Sequence, residues 1–191
     1  LLAAMINNSD EALLAIDKFP PEKSMYLSIL KQHNLHKELK SGWKLVAPLK
    51  NSSLDATWKR INKFFDSTKD GNAKTFQELD AILMAAPYGI KAGILPILYV
   101  QALLVHAHEL ALFEEGVFIP AITIEAVERF IKAPHFFKVE LFQITGLKAN
   151  LFDSYKKALF KDNKGSQKNQ KKHQMQFEVH WTYEGCYQVT Y

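Results

Sequence analysis

One cysteine in 191 residues, Cys186, excludes an intramolecular disulfide and any zinc site assembled from several thiolates. It falls in an alternating aromatic stretch and reads as a strand packing residue, not a nucleophile. Glycine is scarce too, with eight scattered residues. A phosphate-binding loop needs a glycine-rich turn followed by Lys and Ser or Thr, because backbone amides must converge on the phosphates. Neither that pattern nor GxGxxG occurs, so no nucleotide and no cofactor is expected on this chain itself. Long apolar runs are missing as well. A membrane span needs roughly 18 to 20 apolar residues in succession, whereas the longest run, Ile94 to Val105, is interrupted by Gln101. The chain opens at Leu1 without an initiator Met, a basic leader or a small-residue cleavage site. It therefore reads as a piece of a longer, cytoplasmic protein with no membrane contact.

What is present is a 48% hydrophobic composition, enough for one large domain or two small ones. The net charge of +4 is uneven: residues 1–50 carry +2, residues 51–150 carry −1 and residues 151–191 carry +3. All seven basic residues of the last segment lie between Lys156 and Lys172. Attraction to nucleic acid is thus expected from that stretch and not from the middle of the chain.

The first fifty residues predict short helices. Ser9 can cap a helix over Asp10 to Lys18, and Pro20-Pro21 can start another running to about Asn34, with Met25, Tyr26, Ile29 and Leu30 on one face. Trp43 to Val46 reads as a short strand closed by Pro48. Ser52 or Ser53 then caps a helix in which Leu54, Trp58, Ile61 and Phe65 repeat with helical spacing.

After the break at Asp70-Gly71-Asn72, Thr75 and Glu78 form a capping box. Leu79, Ile82, Leu83 and Ala86 give the helix behind it one buried face. Pro87-Tyr88-Gly89 ends it, and a second helix begins around Ile90 to Ile94, with Pro96 in its first turn and apolar residues on nearly every side to Glu109. Leu110 to Phe113, a turn at Glu114-Glu115-Gly116 and Val117 to Ile119 make a hairpin. Thr123 caps Ile124 to Lys132, with Ile124, Val127, Phe130 and Ile131 inward. Phe136 to Ile144 is a strand, and Leu147 to Leu159 a final helix. Asp162 to Gln174 is a polar loop. The last residues alternate as a hairpin with an aromatic face of Phe177, Trp181, Tyr183, Tyr187 and Tyr191.

Catalysis finds little support. His106 and His108 diverge by about 200° if both lie on a helix, and so cannot share a metal ion there. His33 and His36 are better spaced but have no third ligand nearby. Glu114-Glu115 lies on a solvated turn, and no serine, histidine and acid present themselves as a triad. No metal and no catalytic residue is expected.

Helix, turn, apolar helix, hairpin and helix over Thr75 to Pro134 outline a winged helix. A base-reading helix needs Arg, Lys, Asn or Gln on its groove-facing side, and only Lys91 and Gln101 qualify. The wing carries Glu114 and Glu115, which phosphates repel. Sequence-specific DNA reading is therefore not expected, and packing against a neighbouring domain is the better use of this fold. Lys161, Lys164, Lys168, Lys171 and Lys172 can hold a nucleic-acid backbone by counterion release, but without interleaved aromatics they read more plainly as a solvated loop.

The segments MYLSILKQHNLH (Met25 to His36), APYGIKAGILPILYVQALL (Ala86 to Leu104), ELALFEEGVFIP (Glu109 to Pro120) and ITGLKANLFDSY (Ile144 to Tyr155) resemble parts of very large bacterial ATP-binding proteins. These are the ATPases of phage-defence and restriction systems of the BREX type. The resemblance spans roughly residues 20–160. It implies helical and winged-helix parts that follow a nucleotide-binding core, and it carries over no catalytic residue.

The expected fold is α+β, mainly α: an N-terminal helical region (1–50), a winged-helix-like domain (51–160), a lysine-rich loop (161–174) and a C-terminal β-hairpin (175–191). The expected function is a non-catalytic interaction module of a larger ATPase, contacting neighbouring domains or subunits through Glu114, Glu115, Trp181, Tyr183 and Tyr187. The alternative is nonspecific DNA binding, with Lys91 and the five tail lysines on phosphates.

Overall fold

The computed structural model describes residues 1–142 and gives a mixed α+β fold in which helix predominates. In chain order its elements are α1 (Leu2–Asn7), α2 (Pro21–Met25), β1 (His36–Leu39), β2 (Gly42–Leu45), α3 (Asp55–Asp66), β3 (Lys74–Thr75), α4 (Phe76–Met84), α5 (Leu95–Val105), β4 (Leu110–Glu114), β5 (Val117–Ile119), α6 (Ile124–Lys132) and β6 (Phe137–Leu141). The helix expected at Leu147 to Leu159, the lysine-rich loop and the C-terminal hairpin lie outside the described residues.

The N-terminal region departs most from expectation. Asp10 to Lys18 is not a regular helix, and Ser9 caps nothing: its carbonyl accepts a hydrogen bond from His36 Nε2 at 3.0 Å. Leu13, Leu14 and Ala15 instead take left-handed φ values of 54°, 56° and 54°. Left-handed backbone costs about 1 to 2 kcal/mol for each such residue. Packing holds the turn, since Leu14 is fully buried with Met5 of the unforeseen α1 and with Tyr26, Leu30 and Leu35. The helix begun by Pro20-Pro21 forms, but continues from Tyr26 to Lys31 in wider π-helical turns. That widening shifts the phase of the apolar face, so Tyr26 and Leu30 are buried while Met25 is exposed. The Trp43 strand exists as β2, and its partner β1 was missed. They pair antiparallel, Gly42 taking the left-handed step after Lys40-Ser41 at φ 102°.

In α3, Trp58, Ile61 and Phe65 are buried as their spacing predicts. Neither Ser52 nor Ser53 caps it. The Asp55 carboxylate, in the favourable first turn, instead ties the helix to the loop before it, accepting from the Asn51 amide and from Lys59 Nζ, both at 2.8 Å. The Thr75 and Glu78 capping box is formed. Behind it α4 buries Leu79 and Leu83, while Ala86 lies beyond the helix end and is exposed. Helix α5 starts at Leu95, later than expected, because the connection folds back on α4: Gly89 is left-handed and the Ile90 amide donates to the Leu83 carbonyl at 2.9 Å. Pro96 stands in the first turn of α5, as read.

A four-stranded antiparallel sheet of order β3-β6-β4-β5 completes the fold. The β4–β5 turn has Glu115 at φ 50° and Gly116 at φ 84°, the two positive values that a tight two-residue hairpin favours. Thr123 caps α6 by accepting from the Ala126 amide at 3.2 Å. Val127 and Phe130 of α6 are buried, whereas Ile131 is exposed at its last turn. Four rings then join three helices to the sheet: Phe76 lies 4.7 Å from Phe130 and 5.1 Å from Tyr99, and Phe130 lies 5.4 Å from Phe137. Thr68, fully buried, ties the end of α3 to β6, donating to the Phe65 carbonyl and accepting from the Leu141 amide at 3.0 Å.

Candidate functional site

Helix α5 is the segment that the sequence offered as a base-reading helix. Leu95 and Ile97 to Leu103 are all buried. Leu98, Tyr99, Ala102 and Leu103 belong to one core with α3, α4, α6 and the sheet; Ile97 and Val100 belong to a second with α1, Leu14, Tyr26, Leu30 and Leu35. The N-terminal region thus covers the α5 face that carries Ile97 and Val100. Gln101, one of two candidate base readers, is fully buried. Its Nε2 donates to the Leu35 carbonyl at 2.8 Å and to the Val46 carbonyl at 2.9 Å, which closes the root of the β1–β2 hairpin onto α5. Among the described residues its Oε1 has no hydrogen-bond partner. Lys91, the other, is exposed in the loop before α5 and not on the helix. On the far side, Tyr99 donates to Asp80 Oδ1 at 2.6 Å; burial first, and that carboxylate second, push its phenol well above the ordinary range.

The β4–β5 tip divides the two glutamates expected at a partner contact. Glu114 is half-buried and engaged internally, its oxygens 2.7 and 2.8 Å from Arg129 Nε and Nη2 on α6. The Arg129 hydrogen bond holds its carboxyl below the usual range. It braces the hairpin against α6. Glu115 is exposed, and its amide donates to the Phe136 carbonyl at 2.9 Å. Beside it Val117 is 70% exposed and Phe136 46%. Arg129 carried no sequence signal for this role, because it stands fifteen residues from its partner.

Helix α5 ends at Val105, so the helical divergence argument does not apply to His106 and His108. His106 is nevertheless occupied: its nitrogens lie 3.3 Å from Glu109 Oε2 and 3.2 Å from Asn62 Oδ1, and its ring stacks on Trp58. His33 meets Ser53 Oγ at 3.2 Å. His36, buried, accepts from the Tyr26 hydroxyl at Nδ1 (3.0 Å) and donates from Nε2 to Ser9, an arrangement that suits a neutral imidazole. Burial lowers its pKa, partly opposed by the Ser9 hydrogen bond. Among the described residues no three His, Cys, Asp or Glu side chains are grouped to hold a metal ion, and no helix is long and apolar enough to cross a membrane.

Lys161, Lys164, Lys168, Lys171, Lys172, Trp181, Tyr183 and Tyr187 lie outside the described residues. No family model, curated protein or solved structure matches this chain.

Proposed function

We propose that this chain is a non-catalytic, winged-helix-like interaction module of a larger bacterial ATPase of the phage-defence type, working by contacts to neighbouring domains or subunits. The observation that carries the reading is the enclosure of α5. The helix in the base-reading position lies between two cores, with Gln101 turned inward, and has no face left for a groove. Contacts then fall to surface elements, foremost the β4–β5 tip with Val117, Phe136 and Glu115. Apolar side chains held in water beside a rigid turn suit a protein partner. The acid beside them disfavours phosphate and favours a basic rim on that partner. Trp181, Tyr183 and Tyr187 belong to the same reading as aromatic anchors.

A photo-crosslinking residue at Val117 of the intact parent polypeptide tests this. Crosslinks to a neighbouring domain or subunit are expected there, and not from a probe at Phe19, which is exposed elsewhere. Selection from random duplex DNA should enrich no motif. An enriched motif, or no crosslink at Val117, would overturn the reading.

A further inference from the structure

Charge is segregated within the described residues. Residues 1–142 hold sixteen basic and sixteen acidic side chains, yet residues 31–50 carry five lysines against one glutamate, a net +4 that leaves −4 on the rest. Three of those lysines stand on the β1–β2 hairpin. The register sets Lys37 directly opposite Lys44, and Lys40 lies in the turn. Side chains alternate across a strand, so Lys37 and Lys44 project from one face with Leu39, while His36, Glu38 and Trp43 take the other. Directly opposed Cβ atoms are about 5 Å apart, and like charges so placed oppose folding. Among the described residues no carboxylate closes an ion pair with Lys37, Lys40 or Lys44. The described residues therefore hold a repulsion that no ion pair among them neutralises.

The hairpin is also firmly rooted. The Val46 amide donates to the Leu35 carbonyl at 2.8 Å, Gln101 bridges these two residues that flank the strands, and His36 is clamped by Tyr26 and Ser9. Lys40, Ser41 and Gly42 remain exposed. A lone hairpin is marginal in water, but this one is a pinned root with a projecting basic tip.

We propose that the β1–β2 hairpin is a nucleic-acid contact in which Lys37, Lys40 and Lys44 hold backbone phosphates of a duplex without reading its bases. A polyanion relieves the Lys37–Lys44 repulsion, and a nucleic-acid strand supplies about one charge every 3.4 Å. Two strands roughly 4.8 Å apart also fit a major groove about 12 Å wide. An anionic membrane suits the face less well, because Leu39 is the one apolar side chain on it available for insertion. This contact lies beyond the interaction-module reading and does not depend on it.

The test is a titration of labelled duplex DNA with the 191-residue chain between about 50 and 200 mM salt. It compares the wild type with K37Q/K40Q/K44Q, with K40Q alone and with K161Q/K164Q/K168Q/K171Q/K172Q. Each phosphate contact contributes about 0.9 to the slope of log affinity on log salt. The triple hairpin variant should lose roughly 2 to 3 of that slope, so that the fourfold rise in salt weakens the wild type roughly fortyfold more than the variant. K40Q, in the exposed turn, should lose about 0.9 even if the triple variant folds poorly. The triple variant should melt no lower than the wild type, since a repulsion is removed. An unchanged slope in both hairpin variants, full loss in the tail variant, no duplex binding at the lowest salt, or binding to phosphatidylserine vesicles in place of duplex would each overturn the proposal.

Discussion

Replacing Gln101 by Ala, Leu and Glu separates the contributions of one buried side chain. In the wild type its amide nitrogen satisfies two carbonyls while its Oε1 is unpaired. Gln101→Ala removes both hydrogen bonds, each worth about 0.5 to 1.5 kcal/mol net, and leaves a cavity. The Leu35 carbonyl keeps the Val46 amide as a partner, so the Val46 carbonyl bears the loss. A total of about 3 to 5 kcal/mol is expected from the hydrogen bonds and cavity together. Gln101→Leu restores the volume and also deletes the unpaired Oε1, whose burial costs about 1 to 3 kcal/mol. Its net effect should be no more than about 2 kcal/mol. Gln101→Glu brings a carboxylate oxygen against the two carbonyls and should be the worst at neutral pH. Burial raises the folded pKa of that new acid above its unfolded value, so the variant regains stability relative to wild type as pH falls. Urea unfolding followed by circular dichroism at pH 7.5 and 5.5 reads all three, and each kcal/mol moves the thermal midpoint by about 2 to 4 °C at this chain length. Leu as damaging as Ala, or Glu indifferent to pH, would refute the role assigned to the two carbonyl bonds and the unpaired oxygen.

Further outcomes follow from the same structure. Burial holds His36 below its ordinary 6.5, so on acidification the unfolded chain takes up the proton first. Its stabilising contribution is complete above that value and declines as pH falls below it. Asp55, Glu114 and Glu125, held low by hydrogen bonds, lose theirs only below their ordinary values of 3.8, 4.5 and 4.5. His36→Gln should flatten the urea midpoint between pH 6.5 and 5, and an unaltered slope would contradict this. Ala15→Gly relieves an exposed left-handed residue and should stabilise by about 0.5 to 1 kcal/mol after the entropy cost of glycine; a lower melting temperature would count against it. Thr75→Ala breaks the capping box and should cost about 1 kcal/mol in thermal unfolding, with no change at all as the contrary result.

Local chemistry was legible where one residue type admits one structural use. The Thr75 and Glu78 box, the Pro96 start of α5, the Thr123 cap and the Gly116 turn were all read from spacing. The N-terminal region was not, because its conformation is imposed from a distance. Nothing local makes Leu13 to Ala15 left-handed; burial of Leu14 against α1, Tyr26 and Leu30 does. Strand β1 was hidden because His36-Lys37-Glu38-Leu39 shows no apolar alternation, its inward residue being a histidine paired with Tyr26. The internal roles of Gln101 and Glu114 were hidden for the same reason: their partners, Leu35 and Val46 for one and Arg129 for the other, stand 66, 55 and 15 residues away.

Shared membership of α5 in two cores also bears on how the molecule comes apart. Its amides can exchange with solvent deuterium only when both cores open, so they should mark the slowest exchanging unit among the described residues. Beginning the polypeptide at Asn51 would not yield a smaller autonomous domain. It would bare Ile97, Val100 and the amide of Gln101 along one side of a helix, a surface that invites self-association. In a larger protein, any event that lifts residues 1–50 away would turn a silent internal helix into an adhesive one.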